Sequence, residues 1–263
     1  MILDTRRLFL RLLRTFEIDT VCDVGSMDGA DALRFRRVLP AADVIALEPN
    51  PRNFEGMAAD ARLRNHRVRA LPLAASDSDS NAQFYVVKAD YSARGNPAFR
   101  GMSSLHRRSD GSQLAEVVGV GTVRLDSLLA GSNGGRRIAL WIDTEGMAFE
   151  TISGAAGVLA RTQLVHVEVE TEPCIGAAQR LLPDVERILL DADFVLLATD
   201  EPRTSMQLNA LFVPAGLVRT KAAEIRWHLT SGQINRRVRR AVVPLLPARL
   251  RRLLFRQANA VRT

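Results

Sequence analysis

The chain has 263 residues, 47% hydrophobic and 25% charged, which is globular composition and enough length for one large α/β domain. Two cysteines, Cys22 and Cys174, exclude a disulfide framework and a cysteine-rich zinc site. The net charge is +7, but residues 225–263 carry ten arginines and no acid, which leaves residues 1–224 at −3. The basicity therefore belongs to a C-terminal extension, and nucleic-acid binding by the body of the protein is not expected. No apolar run reaches about 18 residues, and Asp4, Arg6, Arg7 and Arg11 interrupt the apolar N-terminus. Neither a membrane span nor a secretory signal is expected, and the cytoplasm is the default location.

Residues 1–19 read as an amphipathic lead-in helix, with apolar and arginine positions at helical spacing from Leu8 to Phe16. Thr20–Val24 is a short apolar run that stops at Gly25, as a buried parallel strand does before a tight turn. A helix is expected over 30–39, a strand over 44–47, a helix over 52–65 and a third strand over 68–73. That alternation predicts a doubly wound, Rossmann-like sheet in a single domain over 20–224. Residues 82–87 suggest an edge strand, and 88–116, rich in Gly, Ser, Arg and Asn, a long loop. A strand and helical turn over 117–129 and a linker over 131–135 lead to Ile138–Ile142, the clearest buried strand. Helix 147–160, strand 164–169, helix 177–191 and strands 194–198 and 208–213 complete the pattern.

Ligands of open α/β sheets bind beyond the carboxyl ends of the strands, where strand order reverses. Here the first strand ends in Asp23-x-Gly25-x-x-x-Gly29, the second in Glu48, the third at Ser76-Asp77, the fourth in Asp143 and Glu145, and the fifth in Glu168 and Glu170. Carboxylates from five strands converge on one rim. A dinucleotide fold wants a third glycine, and Asp28 would set a negative charge beside a pyrophosphate, so a nucleotide-dependent oxidoreductase is disfavoured. A ligand with a ribose, no phosphate and a cationic or zwitterionic end suits the rim better, with Glu48 accepting the ribose hydroxyls. S-adenosylmethionine fits that description.

Several motifs occur in order over residues 20–215. They are Asp23–Gly29, Glu48-Pro49-Asn50-Pro51, Leu73–Asp77, Met102-Ser103-Ser104-Leu105, Val123–Leu129, Ile142-Asp143-Thr144-Glu145-Gly146 and Gly154-Ala155. In these the chain resembles FkbM-type S-adenosylmethionine-dependent methyltransferases. The resemblance implies a class I methyltransferase sheet and transfer of a methyl group to a hydroxyl of a sugar, glycolipid or secondary metabolite. It also implies that Asp23 and Gly25 meet the methionine moiety, Glu48 the ribose, and Ser76 or Asp77 the adenine, with Gly29 and Asn50 completing the cofactor motifs. Asp143 and Glu145 would lie beside the reacting methyl, and Ser103, Ser104, Asp126 and Glu168 on the acceptor side. The chain departs from the family at Met27, where Asn is usual, and at Trp141, where Lys is usual. A degenerate, non-catalytic binding module is the alternative those departures keep open.

A sugar hydroxyl needs a proton acceptor. Asp143 is the first candidate, with Glu145, Glu168 and His106 behind it. A divalent ion held by Asp143, Glu145 and Glu168 is a less favoured route. The bland readings are that Asp23 and Asp143 cap turns and helices, and that His166 and Cys22 serve packing. In the extension, residues 236–256 alternate arginine and apolar clusters, which suits a helix on an anionic membrane surface or against a partner; nucleic acid is disfavoured for want of aromatic stacking residues.

Overall fold

The structure, a computed structural model, describes residues 1–88, 101–109, 114–131 and 136–230. The long-loop reading over 88–116, the linker over 131–135 and the arginine-rich stretch 236–256 fall largely or wholly outside these residues. Helix α1 (Thr5–Thr15) opens the fold, capped by Asp4, whose side chain accepts from the Arg7 N–H. Strand β1 (Thr20–Val24), helix α2 (Ala30–Val38) and strand β2 (Asp43–Leu47) follow the expected rhythm.

The expected helix over 52–65 is two, α3 (Pro51–Ala59) and α4 (Ala61–Asn65), because Asp60 leaves helical geometry and caps the second through the Arg62 N–H. The expected third strand also divides, into β3 (Arg69–Leu71) and β4 (Leu73–Ala75). Pro72 lies between them and has no N–H to give a ladder. Only β3 joins the main sheet. β4 pairs with β6 (Leu114–Val123), which pairs in turn with β5 (Ser80–Val87), making a separate three-stranded sheet.

After α5 (Leu125–Leu129) and β7 (Ile138–Ile142), the expected helix 147–160 is again two, α6 (Ala148–Ser153) and α7 (Ala156–Leu159). Gly154 separates them and packs so closely that a Cβ there would lie 2.0 Å from the Ser76 carbonyl oxygen. Strand β8 (Thr162–Glu170) leads to α8 (Leu182–Asp191), which starts later than expected and carries a proline in its first turn. Strands β9 (Phe194–Thr199) and β10 (Gln207–Pro214) and helix α9 (Ala215–Thr220) follow, with further helix over 222–230.

The main sheet has seven strands in the order β3-β2-β1-β7-β8-β10-β9. Strands β3, β2, β1, β7 and β8 run parallel, and β10 is antiparallel between β8 and β9. The strand order reverses between β1 and β7. On one face Ile138, Leu140 and Ile142 of β7 pack with α5, α6, α7 and α8; on the other Ala139 and Trp141 pack with α1 and α2. Both faces are covered, which is why these strands read as continuous apolar runs. Among the described residues no helix is long and apolar enough to cross a membrane.

Candidate active site

The site forms at the reversal, where three loops lock together. The N–H groups of Gly25 and Ser26 both donate to the Leu47 carbonyl, and the Asp143 N–H donates to the Val24 carbonyl at 2.9 Å. Gly25 has φ +82°, and a Cβ there would sit 1.8 Å from the Asp143 carbonyl oxygen. No residue with a side chain fits that contact.

A small cavity of about 50 Å³ lies over these loops, lined by residues including Gly25, Met27, Glu48, Thr144, Glu145 and Ser103. The Glu48 carboxylate accepts from the Met27 N–H at 2.7 Å and the Asn50 N–H at 2.9 Å. Asn50 itself caps α3. Asp23 is 1% exposed and accepts from the Ser26 hydroxyl at 2.6 Å; burial pushes its carboxyl well above the usual range. It braces the loop from beneath and does not line the cavity. Gly29 starts α2 with φ +75° against Leu63. Met27 also has positive φ (+55°), a region Asn tolerates better than Met, yet its backbone N–H still reaches Glu48. The polar role left to Asp28 is local: its carboxylate accepts from the Ala30 N–H.

Two parts of the expected constellation lie elsewhere. Ser76 and Asp77 follow β4 of the small sheet, with Ser76 packed against Gly154, so the expected contact with adenine has no support in the cavity lining. Asp126 accepts from the Val158 N–H at 2.9 Å and pairs with Arg124. It thereby satisfies a backbone N–H in the first turn of α7. Ser104 donates to the Glu145 carbonyl at 2.6 Å and accepts from the His106 N–H. Ser103 accepts from the Val87 N–H at 3.1 Å. His106 packs beside Gly176 and lines neither this cavity nor the larger one; burial lowers its pKa.

Beside the small cavity, one carboxyl oxygen each from Asp143, Glu145 and Glu168 lie within 4.8 Å of one another. Burial raises all three carboxyls, and each gains further from like charge. Glu145 is pushed up to about 8 although Arg108 pairs with it at 2.9 Å. Asp143 and Glu168 hydrogen-bond to each other, which requires a proton on one of them. Such a pair can release a proton or take one, and the same oxygens are of the kind a hard divalent ion uses.

A second cavity, of about 520 Å³, opens on the other side of Asp143, between α1 and strands β7, β8 and β10. Trp141 and His166 stack there with ring centroids 3.6 Å apart and planes within 3°. Trp141 thus fills the family's lysine position with an aromatic surface, and the Arg6 guanidinium lies 5.5 Å over it. His166 meets the Thr5 hydroxyl at 3.1 Å and is held neutral, its pKa pushed well down by burial and by Arg6. Arg6, Arg7, Arg11, Asp200 and Asn209 also line this cavity. In the sequence nothing marks these as functional beyond the spacing of arginines on α1.

Comparisons with known proteins bear on the family. The model of the methyltransferase FkbM domain matches residues 23–196. A 2-O-methyltransferase, NoeI of Sinorhizobium fredii (strain NBRC 101917 / NGR234), is 26% identical over 182 residues, covering 64% of this chain and 72% of that protein. The crystal structure of methyltransferase FkbM from Methylobacillus flagellatus KT aligns with a TM-score of 0.46 at 11% identity, over 75% of this chain and 44% of that one. This chain therefore spans less than half the length of that protein. Magnesium protoporphyrin IX methyltransferase from Synechocystis PCC 6803, solved with bound SAH, aligns at 0.41 and 10% identity over 80% of this chain and 81% of that one. With the family match running from the Asp23 loop through the Asp143–Glu145 turn and on into β9, the chain belongs to the FkbM family of S-adenosylmethionine-dependent methyltransferases.

Proposed function

We propose that S-adenosylmethionine binds over Gly25 and Glu48 and that its methyl group passes to a hydroxyl oxygen held at Asp143. One observation carries the reading: among the described residues, Asp143 alone lines both cavities. Displacement at a methyl carbon needs donor and acceptor in line at one point, with a proton acceptor beside them. Asp143 is where the two spaces share a wall.

The residues fit the donor. Glu48 borders the cavity with both oxygens fixed by backbone N–H groups, as acceptors for ribose hydroxyls need to be. The Thr144 hydroxyl, buried and without a hydrogen-bond partner, lines the same cavity and can serve a polar ligand. The volume of about 50 Å³ is below the range of roughly 300–1,000 Å³ typical of small-molecule sites, so the cavity has to widen to admit the donor. When bound, the donor supplies an electrophilic methyl on a sulfonium.

Asp143 then takes the hydroxyl proton and shares it with Glu168. Its raised pKa makes it a stronger base than an ordinary carboxylate. Glu145 borders the donor side and, with Arg108, sets the local charge. The acceptor is a hydroxyl of a sugar, glycolipid or secondary metabolite; a relative named as a 2-O-methyltransferase supports oxygen as the methylated atom.

The test is transfer of labelled methyl from S-adenosylmethionine to a panel of hydroxylated glycosides and polyols. The wild-type chain is expected to give alkali-stable ether products. Asp143→Asn should lose about 100-fold or more in kcat while donor affinity changes less than about threefold. Unimpaired turnover in Asp143→Asn would remove the base assignment.

A further inference from the structure

The helix over 222–230 packs on α1. Its inner face is set by Ile225, 3% exposed, by Leu229, which packs on the same core cluster as Leu12 and Leu13, and by His228, which meets the Thr15 hydroxyl at 2.9 Å. Its outer face carries Ala223, Arg226, Trp227 and Thr230 at i, i+3, i+4 and i+7, all exposed. Trp227 is 70% exposed, the most of any large apolar side chain among the described residues. One exposed apolar side chain is ordinary on its own. Its position in the chain is not.

Glu224 is the last acid in the sequence, and it pairs with Lys221 at 3.7 Å. Beyond Thr230, outside the described residues, the sequence holds nine arginines and no acid. Those arginines alternate with Val242-Val243, Leu245-Leu246 and Leu253-Leu254-Phe255. Charge alone would suit any polyanion. The apolar clusters have no use on a phosphate backbone, whereas a bilayer interface takes both kinds of residue, arginines at the headgroups and aliphatic and indole groups at the acyl boundary. A second copy of the chain would bring the same excess of arginine and be repelled.

We infer that Trp227 and the arginine-rich extension form a docking surface for an anionic lipid bilayer. Stable peripheral anchoring takes two signals, and an apolar anchor beside a basic patch supplies both. Each arginine near such a surface is worth about fivefold in partitioning. His228 faces inward from the same helix and lines the large cavity, so docking sets that cavity about 10–12 Å, one helix diameter, from the lipid.

Vesicle sedimentation with the full chain tests it, using phosphatidylcholine alone and phosphatidylcholine with about 30% phosphatidylglycerol at about 0.1 M salt. The chain has two tryptophans and Trp141 is 3% exposed, so an emission change on binding reports Trp227. The wild type is expected to bind anionic vesicles at least about 50-fold more tightly than neutral ones, with a blue shift and with quenching by acyl-brominated lipid. Trp227→Ala should weaken binding about tenfold and abolish the quenching. Replacing Arg236, Arg237, Arg239 and Arg240 together by Gln should weaken binding at least about 100-fold. Melting curves check that both variants fold, and the wild-type quenching is a test that needs neither. Equal binding to neutral and anionic vesicles, anionic binding without quenching, or folded variants that bind as the wild type does would each overturn the inference. So would a chain that ignores vesicles and binds duplex DNA, or one whose emission shifts to the blue with protein concentration in the absence of lipid; these assign the face to nucleic acid and to a second copy. None of the readouts involves the methyl donor, so this inference and the donor assignment fail separately.

Discussion

Asp143 owes its chemistry to neighbours that the chain brings from far apart. Its backbone is fixed by Val24 and Gly25, its carboxyl by Glu168, and its field by Arg6 and Asp31. Gly25→Ala should cost at least about 3 kcal/mol of stability, since it combines left-handed strain with a Cβ 1.8 Å from a carbonyl oxygen. Denaturant unfolding would measure it. Glu168 supplies a test by pH. A carboxyl raised by folding contributes stability that is complete below its ordinary range and is lost as pH climbs through the raised value. Glu168→Gln cannot ionise, so it should melt with the wild type near pH 4 and above it at pH 8 to 9. Each kcal/mol corresponds to about 2–4 °C in a chain of this size. A wild type that outlasts the variant at alkaline pH would contradict the shared-proton account.

At the scale of elements, the segment Gly101–Ser109 closes one side of the donor cavity and is tied down by three separate contacts. Ser104 bonds to the Glu145 carbonyl, Arg108 to its carboxylate, and the Ser109 N–H to the Ile175 carbonyl. Arg108→Ala should destabilise more at pH 9 than at pH 6. Below about 8 Glu145 can take a proton and lose its need for a partner; above that, the charge stays buried and alone. Melting curves at the two pH values would show the difference. Sequence periodicity located most elements but not their breaks. Pro72, Asp60 and Gly154 each divide a segment that reads as continuous, and each does so through a backbone property that hydropathy does not register. The strand ends were legible for a different reason. Gly25, Glu48, Asp143 and Glu145 sit in short motifs at the ends of buried apolar runs, and topology converts those ends into one rim. Asp126 shows the converse. A carboxylate after a strand reads as a site residue, and the fold also sets it on the Val158 N–H, 32 residues away, a contact no local pattern announces.

At the scale of the whole molecule, two cavities lie on either side of the β1/β7 reversal. The small one is built from β1, β2 and the three-stranded sheet, which adds Leu73 and Phe84 to its lining. The large one is built by the N-terminal helix, and this half was not legible in sequence. Thr5 meets His166 across 161 positions, and nothing local to either residue announces the pairing. Trp141 reads in sequence as a departure from a family pattern; in the fold it is a buried platform shared with Phe9, Phe35 and His166. The central claim is that the donor lies over Gly25 and Glu48. The most direct measurement is calorimetric titration of wild type and Glu48→Ala with S-adenosylmethionine, with NAD as the control ligand. The account predicts micromolar binding to wild type, a loss of about 30-fold or more in Glu48→Ala for the two ribose hydrogen bonds, and none with NAD. Equal affinity in the two proteins would contradict it.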